Sequence, residues 1–124
     1  MINSIVTNIV KVDDIEVAYK VFGRGEPLFL IPGFSQTMDM WDPIVLHKLS
    51  SNHTIIIFDN RGIGNTTAGN KTPSIQQFAT DTAALIHLLG FIKPVDILGL
   101  SMGGFIAQEL TLSHPEEKNL CHLK

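Results

Sequence analysis

The sequence predicts an α/β fold, a mostly parallel sheet with helices on its faces. Three observations point there. Short apolar runs recur at Leu28–Ile31, His53–Asp59 and Val95–Leu100, as suits strands buried on both faces. Helical patterns alternate with these runs, which implies right-handed crossovers between parallel strands. The composition, 44% hydrophobic and 17% charged over 124 residues, is that of one globular domain.

Each element follows from its local sequence. Ser4–Val10 and Ile15–Phe22 are rich in β-branched residues and separated by Asp13-Asp14, which predicts a strand pair joined by a turn. "GRGEP", Gly23–Pro27, ends that pair. The strand Leu28–Ile31 is stopped by Pro32-Gly33, and a loop then leads to a helix from Met40 to Leu49. After the strand His53–Asp59 comes the turn-rich "NRGIGNTTAGNKTP". Ser74–Leu89 carries the clearest helical pattern, with Ser74 and Gln77 at capping-box spacing and Gly90 placed to close it. Its apolar face is Ile75, Phe78, Thr82, Leu85, Ile86 and Leu89. Val95–Leu100 is the fifth strand, and Met102–Leu112 the third helix, with Phe105, Ile106 and Leu110 inward.

Composition narrows the function classes. Net charge is −3, and no basic run supplies a nucleic-acid footprint. Cys121 is the only cysteine, so no intrachain disulfide or CxxC metal framework exists. The opening "MINSIVTNIVKVDD" lacks a basic leader region, and the apolar runs fall short of the ~18 residues of a spanning helix. The expectation is a cytoplasmic protein that binds neither membrane nor nucleic acid. Asn-x-Thr triplets at Asn52, Asn65 and Asn70 then read as turn chemistry.

One motif carries chemistry. Gly99-Leu100-Ser101-Met102-Gly103 satisfies G-x-S-x-G, between an apolar strand and an amphipathic helix. A sharp strand-to-helix turn forces the serine into an unfavourable backbone conformation, and Cβ atoms two residues to either side would collide. Gly104 adds room where the helix meets the sheet. The Met102 N–H opens that helix, where unpaired donors can bind an anion.

With these residues in view, the chain resembles the N-terminal half of an α/β-hydrolase-fold protein, from about Ile15 to Glu116. "LFLIPGF", Leu28–Phe34, resembles the segment that ends in an oxyanion-hole N–H, here Phe34. "FDNRGIGNT", Phe58–Thr66, resembles the family's D-x-R-G-x-G-x-S turn, and "LGLSMGG" its nucleophile elbow. The resemblance implies Ser101 as nucleophile, Met102 and Phe34 as oxyanion donors, and Gly99, Gly103 and Gly104 as elbow glycines. It points to the serine esterase, lactonase, thioesterase and perhydrolase-like branch, acting on a small acyl substrate without cofactor or metal. Ser101 argues against the aspartate-nucleophile dehalogenases and epoxide hydrolases.

Two departures matter. Pro32 stands where the family commonly has histidine, a structural position. In the family the acid and the histidine follow the nucleophile on later loops. After "SHPE" this sequence reads "EKNLCHLK", so residues 1–116 are expected to form the N-terminal part of the domain and 117–124 an atypical tail. The expected fold is truncated, with five strands and three helices. Strand 95–100 is then an exposed edge inviting self-association.

Other residues have plainer readings. Asp59 and Arg61 precede the serine and read as an ion pair or turn bonds. "RGIGNTT" lacks the G-K-[ST] of a phosphate loop. His47, His53, His87, His114 and His122 read as solvated or capping residues, with no ligand spacing among them. Trp41 reads as a core anchor, Met38 and Met40 as acyl-pocket lining or packing, and the Phe34 ring as core or pocket lining. Without a base the chain alone is expected to be nearly inert. The readings left open are a shortened hydrolase, a half-enzyme completed by a partner, and a non-catalytic interaction domain.

Overall fold

The computed structural model describes residues 4–91 and 95–114, and the backbone of residues 120–123. Six strands lie within the described residues: β1 (Asn8–Val12), β2 (Ile15–Gly23), β3 (Glu26–Ile31), β4 (His53–Phe58), β5 (Asp96–Gly99) and β6 (Leu120–Leu123). The helices are α1 (Pro43–Ser50), α2 (Ile75–Leu88) and α3 (Met102–Ser113), with a 3-10 turn at Met38–Met40. The strands form one sheet in the order β1-β2-β4-β3-β5-β6. β1, β2 and β4 pair antiparallel, and β4, β3, β5 and β6 pair parallel.

Alternation along the central strands divides the core. Phe29, Ile31, Ile56, Phe58 and Ile97 face α2 and α3, where Phe78, Ala79, Leu85, Ile106 and Leu110 meet them. Leu28, Leu30, Ile55 and Ile57 face the other way, toward Met38, Trp41 and Leu46. Each fully buried side chain of this kind contributes about 1.5–3 kcal/mol of transfer free energy, so both faces contribute to stability.

The structure departs from the expected elements at identifiable places. The second strand pairing of β5 is the largest correction. Leu120–Leu123 aligns parallel to it, with Leu98 opposite His122 and Gly99 opposite Leu123, so 95–100 is not the sheet edge and the strands number six. The first helix starts at Pro43 rather than Met40, because Asp42 caps it by accepting the Ile44 N–H and proline suits the first helical position. At α2 the Ser74 hydroxyl accepts the Gln77 N–H at 3.0 Å, but the Gln77 amide turns to Asp81 at 2.9 Å. Phe105 is 64% exposed rather than inward. The buried stripe of α3 is Gly103, Ile106, Ala107 and Leu110, and Phe105 lies off it. Residues 117–119 and 124 of the expected tail lie outside the described residues, as do the side chains of Cys121 and His122.

Two polar anchors fix the loops around the sheet. Asp59, at the end of β4, accepts the Met38 N–H at 2.7 Å and the Asn65 N–H at 3.0 Å, tying the loop after β3 to the loop after β4. Thr66 accepts the Ala18 N–H at 3.0 Å and donates to the Asp59 carbonyl at 2.8 Å. The second anchor is Arg61, whose side chain is wholly buried. It donates to both oxygens of Asp14, each at 2.8 Å, and to Asp81 at 2.9 and 2.8 Å. Arg61 therefore joins the β1–β2 turn, the β4 loop and α2.

These bonds make stability depend on acid. The Arg61 guanidinium, helped by the Asn70 N–H, holds the Asp14 carboxyl well below its usual 3.8. A carboxylate with a lowered folded pKa stabilises the fold above its unfolded pKa and loses that contribution as pH falls below it. The thermal midpoint is expected to fall as pH drops below 3.8, and less steeply in Asp14→Asn. Equal slopes in the two proteins, measured by circular dichroism, would refute this.

Candidate active site

Ser101 sits at the junction of β5 and α3 with φ 56° and ψ −118°, a combination outside the ordinary regions for a side-chain-bearing residue. The turn is tight. The Gly103 N–H donates to the Leu100 carbonyl and the Gly104 N–H to the Ser101 carbonyl, both at 2.8 Å. Glycine is needed on either side. A Cβ on Gly99 would overlap the Gly103 carbonyl, and one on Gly103 would overlap the Ile31 carbonyl. Gly104 is buried beside them.

The loop after β3 abuts this turn. A Cβ on Gly33 would stand 3.1 Å from the Leu100 carbonyl and 3.4 Å from the Ser101 Cβ. Parallel pairing of β3 with β5, continued by the Leu100 N–H donating to the Ile31 carbonyl at 3.1 Å, brings the two carboxyl ends together. The Gln36 side chain accepts the Gly33 N–H at 2.8 Å and holds the loop closed. Phe34 follows Gly33 beside the elbow and is 79% exposed as a residue, so the core reading of its ring is corrected. Met102 is the first residue of α3, where a backbone N–H has no intrahelical acceptor. The serine, the β3 loop and the helix N-terminus thus converge at the carboxyl ends of the strands, where open α/β sheets bind ligands.

The histidines go elsewhere. Crossover helices run opposite to the strands, so His47 and His87, in the last turns of α1 and α2, lie toward the amino ends of the strands. His53 opens β4 with its Nδ1 3.3 Å from the Leu49 carbonyl, and His114 ends α3. Among the described residues no group of three or more His, Cys, Asp or Glu is assembled as a metal set. No described helix is long and apolar enough to cross a membrane.

Asp59 and Arg61 have the structural roles expected of them, Asp59 in loop bonds to the Met38 and Asn65 N–H groups and Arg61 in ion pairs with Asp14 and Asp81. A carboxylate at Asp81, three and four residues from Phe78 and Leu85 on the apolar face of α2, was the available signal for a buried cation. Met38 is packing, since it is 1% exposed in the core. Met40, Trp41, Val45, Leu98 and Leu100 instead line a cavity of about 420 Å³ behind the elbow.

Comparison with known proteins agrees with this architecture. Residues 26–118 match the family described as alpha/beta hydrolase fold. BpoC of Mycobacterium tuberculosis, a candidate non-heme bromoperoxidase, is 41% identical over 103 residues, covering 82% of this chain and 38% of that protein. The pimeloyl-[acyl-carrier protein] methyl ester esterase of Aeromonas hydrophila is 34% identical over 101 residues, 81% of this chain and 37% of the esterase. The structure of an alpha/beta hydrolase fold protein from Chitinophaga pinensis superposes with a TM-score of 0.88 at 31% identity, covering 97% of this chain and 44% of that one. The chain therefore spans well under half the length of the proteins it matches. By its matched residues and its topology, it belongs to the alpha/beta hydrolase fold family.

Proposed function

We propose that this chain is the nucleophile-bearing part of a serine hydrolase that acts on ester-like bonds, such as carboxylic esters, lactones or thioesters. The backbone at Ser101, turned to positive φ between a strand and a helix, is the observation that carries the reading. Such a turn lifts the hydroxyl clear of the sheet toward a bound acyl group. The Ser101 Oγ attacks the carbonyl carbon, its proton passes to a base, and the carbonyl oxygen becomes an oxyanion. The N–H groups of Met102 and Phe34 receive that charge. Collapse of the tetrahedral intermediate expels the alcohol or thiol, protonated as it leaves, and water then releases the acid from Ser101. The named ester activity of the Aeromonas relative supports this substrate class.

Among the described residues no proton acceptor stands beside Ser101. None of the four histidines whose side chains are described is positioned at the elbow, so the base and its orienting acid come from outside these residues. In a serine protease, loss of the base removes on the order of 10⁶ of kcat. The purified 124-residue chain is therefore expected to label slowly with a fluorophosphonate probe, at Ser101 only, and Ser101→Ala is expected to abolish the label. Rapid turnover of p-nitrophenyl acetate by the chain alone would refute the missing base. Labelling that survives Ser101→Ala would refute the nucleophile.

A further inference from the structure

The loop that follows β3 holds a strained residue close to the elbow. Ser35 has φ 57°, a left-handed conformation that glycine or asparagine ordinarily takes. Such a residue keeps that conformation only where its surroundings over-determine it. Gln36, next in the chain, does so with two bonds. Its backbone N–H donates to the Gly33 carbonyl at 3.2 Å, closing a four-residue turn with Ser35 in third place. Its side-chain Oε1 accepts the Gly33 N–H at 2.8 Å. One residue therefore holds both polar groups of Gly33. The Gly33–Phe34 peptide is trans and planar, so a carbonyl turned into the loop sends the Phe34 N–H the opposite way, out of the turn. Among the described residues that N–H has no acceptor.

We propose that Gln36 is a positioning residue: its two bonds to Gly33 fix the peptide plane from which Phe34 donates, before any charge develops. This role rests on the reading of Ser101 as nucleophile and Phe34 as oxyanion donor. The place that a Cβ on Gly33 would occupy lies 3.3 Å from the Gln36 Oε1 and 3.4 Å from the Ser101 Cβ, so the amide and the nucleophile flank one residue. The rest of the loop is anchored without Gln36. Asp59 accepts the Met38 N–H at 2.7 Å, and Lys20 pairs with Asp39 at 3.3 Å, both beyond the turn. Those bonds hold the loop to the sheet and leave the Gly33–Phe34 plane to Gln36. A donor fixed in advance needs no reorganisation when charge forms, and a misplacement of about 1 Å can cost on the order of 10² in rate.

The test is the rate at which a fluorophosphonate labels Ser101, a step in which Oγ bonds to phosphorus, fluoride leaves and the phosphonyl oxygen takes up charge. Rates are read in the 124-residue chain well below its thermal midpoint, so that only folded protein is compared. Gln36→Leu, which fills the space without an acceptor, is expected to slow labelling at least about tenfold and to abolish protection of the Gly33 amide from hydrogen exchange. Gln36→Glu keeps an acceptor, and is expected to keep that protection and to label faster than Gln36→Leu. Ser35 is exposed, so its variants report on the turn without disturbing the core. Ser35→Val, β-branched and ill suited to positive φ, is expected to label more slowly than Ser35→Gly, which takes that φ freely. This second pair decides the matter if Gln36→Leu does not fold. A Gln36→Leu protein with a lowered midpoint but an unchanged labelling rate would make Gln36 a brace only, and would overturn its positioning role while leaving Ser101 the nucleophile. Equal rates in the two Ser35 variants would do the same. A label that survives Ser101→Ala, or a parent chain that takes none, would overturn the nucleophile reading and the proposal with it.

Discussion

Arg61→Ala is expected to lower folding stability by about 3–5 kcal/mol, the range for removing one partner of a buried ion pair. The reason is what it leaves behind. Asp81 is 7% exposed and Asp14 approaches it across the guanidinium, so the variant keeps two carboxylates facing each other with no cation. The urea midpoint reads the loss directly, with m unchanged if the native state stays compact. Arg61→Lys should recover only part, because one ammonium cannot reproduce four forked bonds. A far better rescue is expected from Arg61→Met combined with Asp81→Leu and Asp14→Asn, since buried ion pairs are often replaced by uncharged groups at little loss. If Arg61→Ala shifts stability by less than about 1 kcal/mol, the three-way anchor is not structural in the sense described.

Gly103→Ala is the second large effect. Alanine at an unhindered helical position stabilises by about 0.8–1.0 kcal/mol relative to glycine. At Gly103 the sign is expected to reverse, to a net loss of about 3 kcal/mol, because the new methyl group would overlap the Ile31 carbonyl and crowd Pro32. Neither neighbour is a flexible side-chain tip; both are backbone at the end of β3. Gly99→Ala should behave alike, against the Gly103 carbonyl. Gly90→Ala provides the comparison: its φ is +84° but nothing lies within 4 Å, so only the conformational term of about 1–2 kcal/mol applies. Denaturant titration of the three variants gives the ranking. A Gly103→Ala protein as stable as the parent would mean that the elbow is less tightly packed than described.

Much of this was legible because it is local. Apolar runs of four to seven residues announced strands buried on both faces, and the Ser74 hydroxyl announced the start of α2. The spacing of Gly99, Ser101 and Gly103 implied a bent turn with an unfavourable serine backbone, and Ser101 has a positive φ. What escaped was set by distant partners. Arg61 finds Asp14 47 residues away and Asp81 20 away, and no spacing rule reports such a meeting. In α3 the apolar residues occur nearly all round, so Phe105 looked as good an anchor as Ile106. The close approach of Gly103 to Ile31 chooses the face, and that choice sends Phe105 to water. β6 escaped because four residues after a charged stretch give too short a pattern, and only pairing with β5 makes them a strand.

The backbone at residue 101 also says something about selection. Glycine would occupy that conformation freely, whereas a side chain there costs on the order of 1–3 kcal/mol out of a typical margin of about 5–15. A lineage shaped only for durability would drift toward glycine at this position. On the proposed reading of Ser101 as nucleophile, the hydroxyl there is a place where robustness is traded for what a side chain can do.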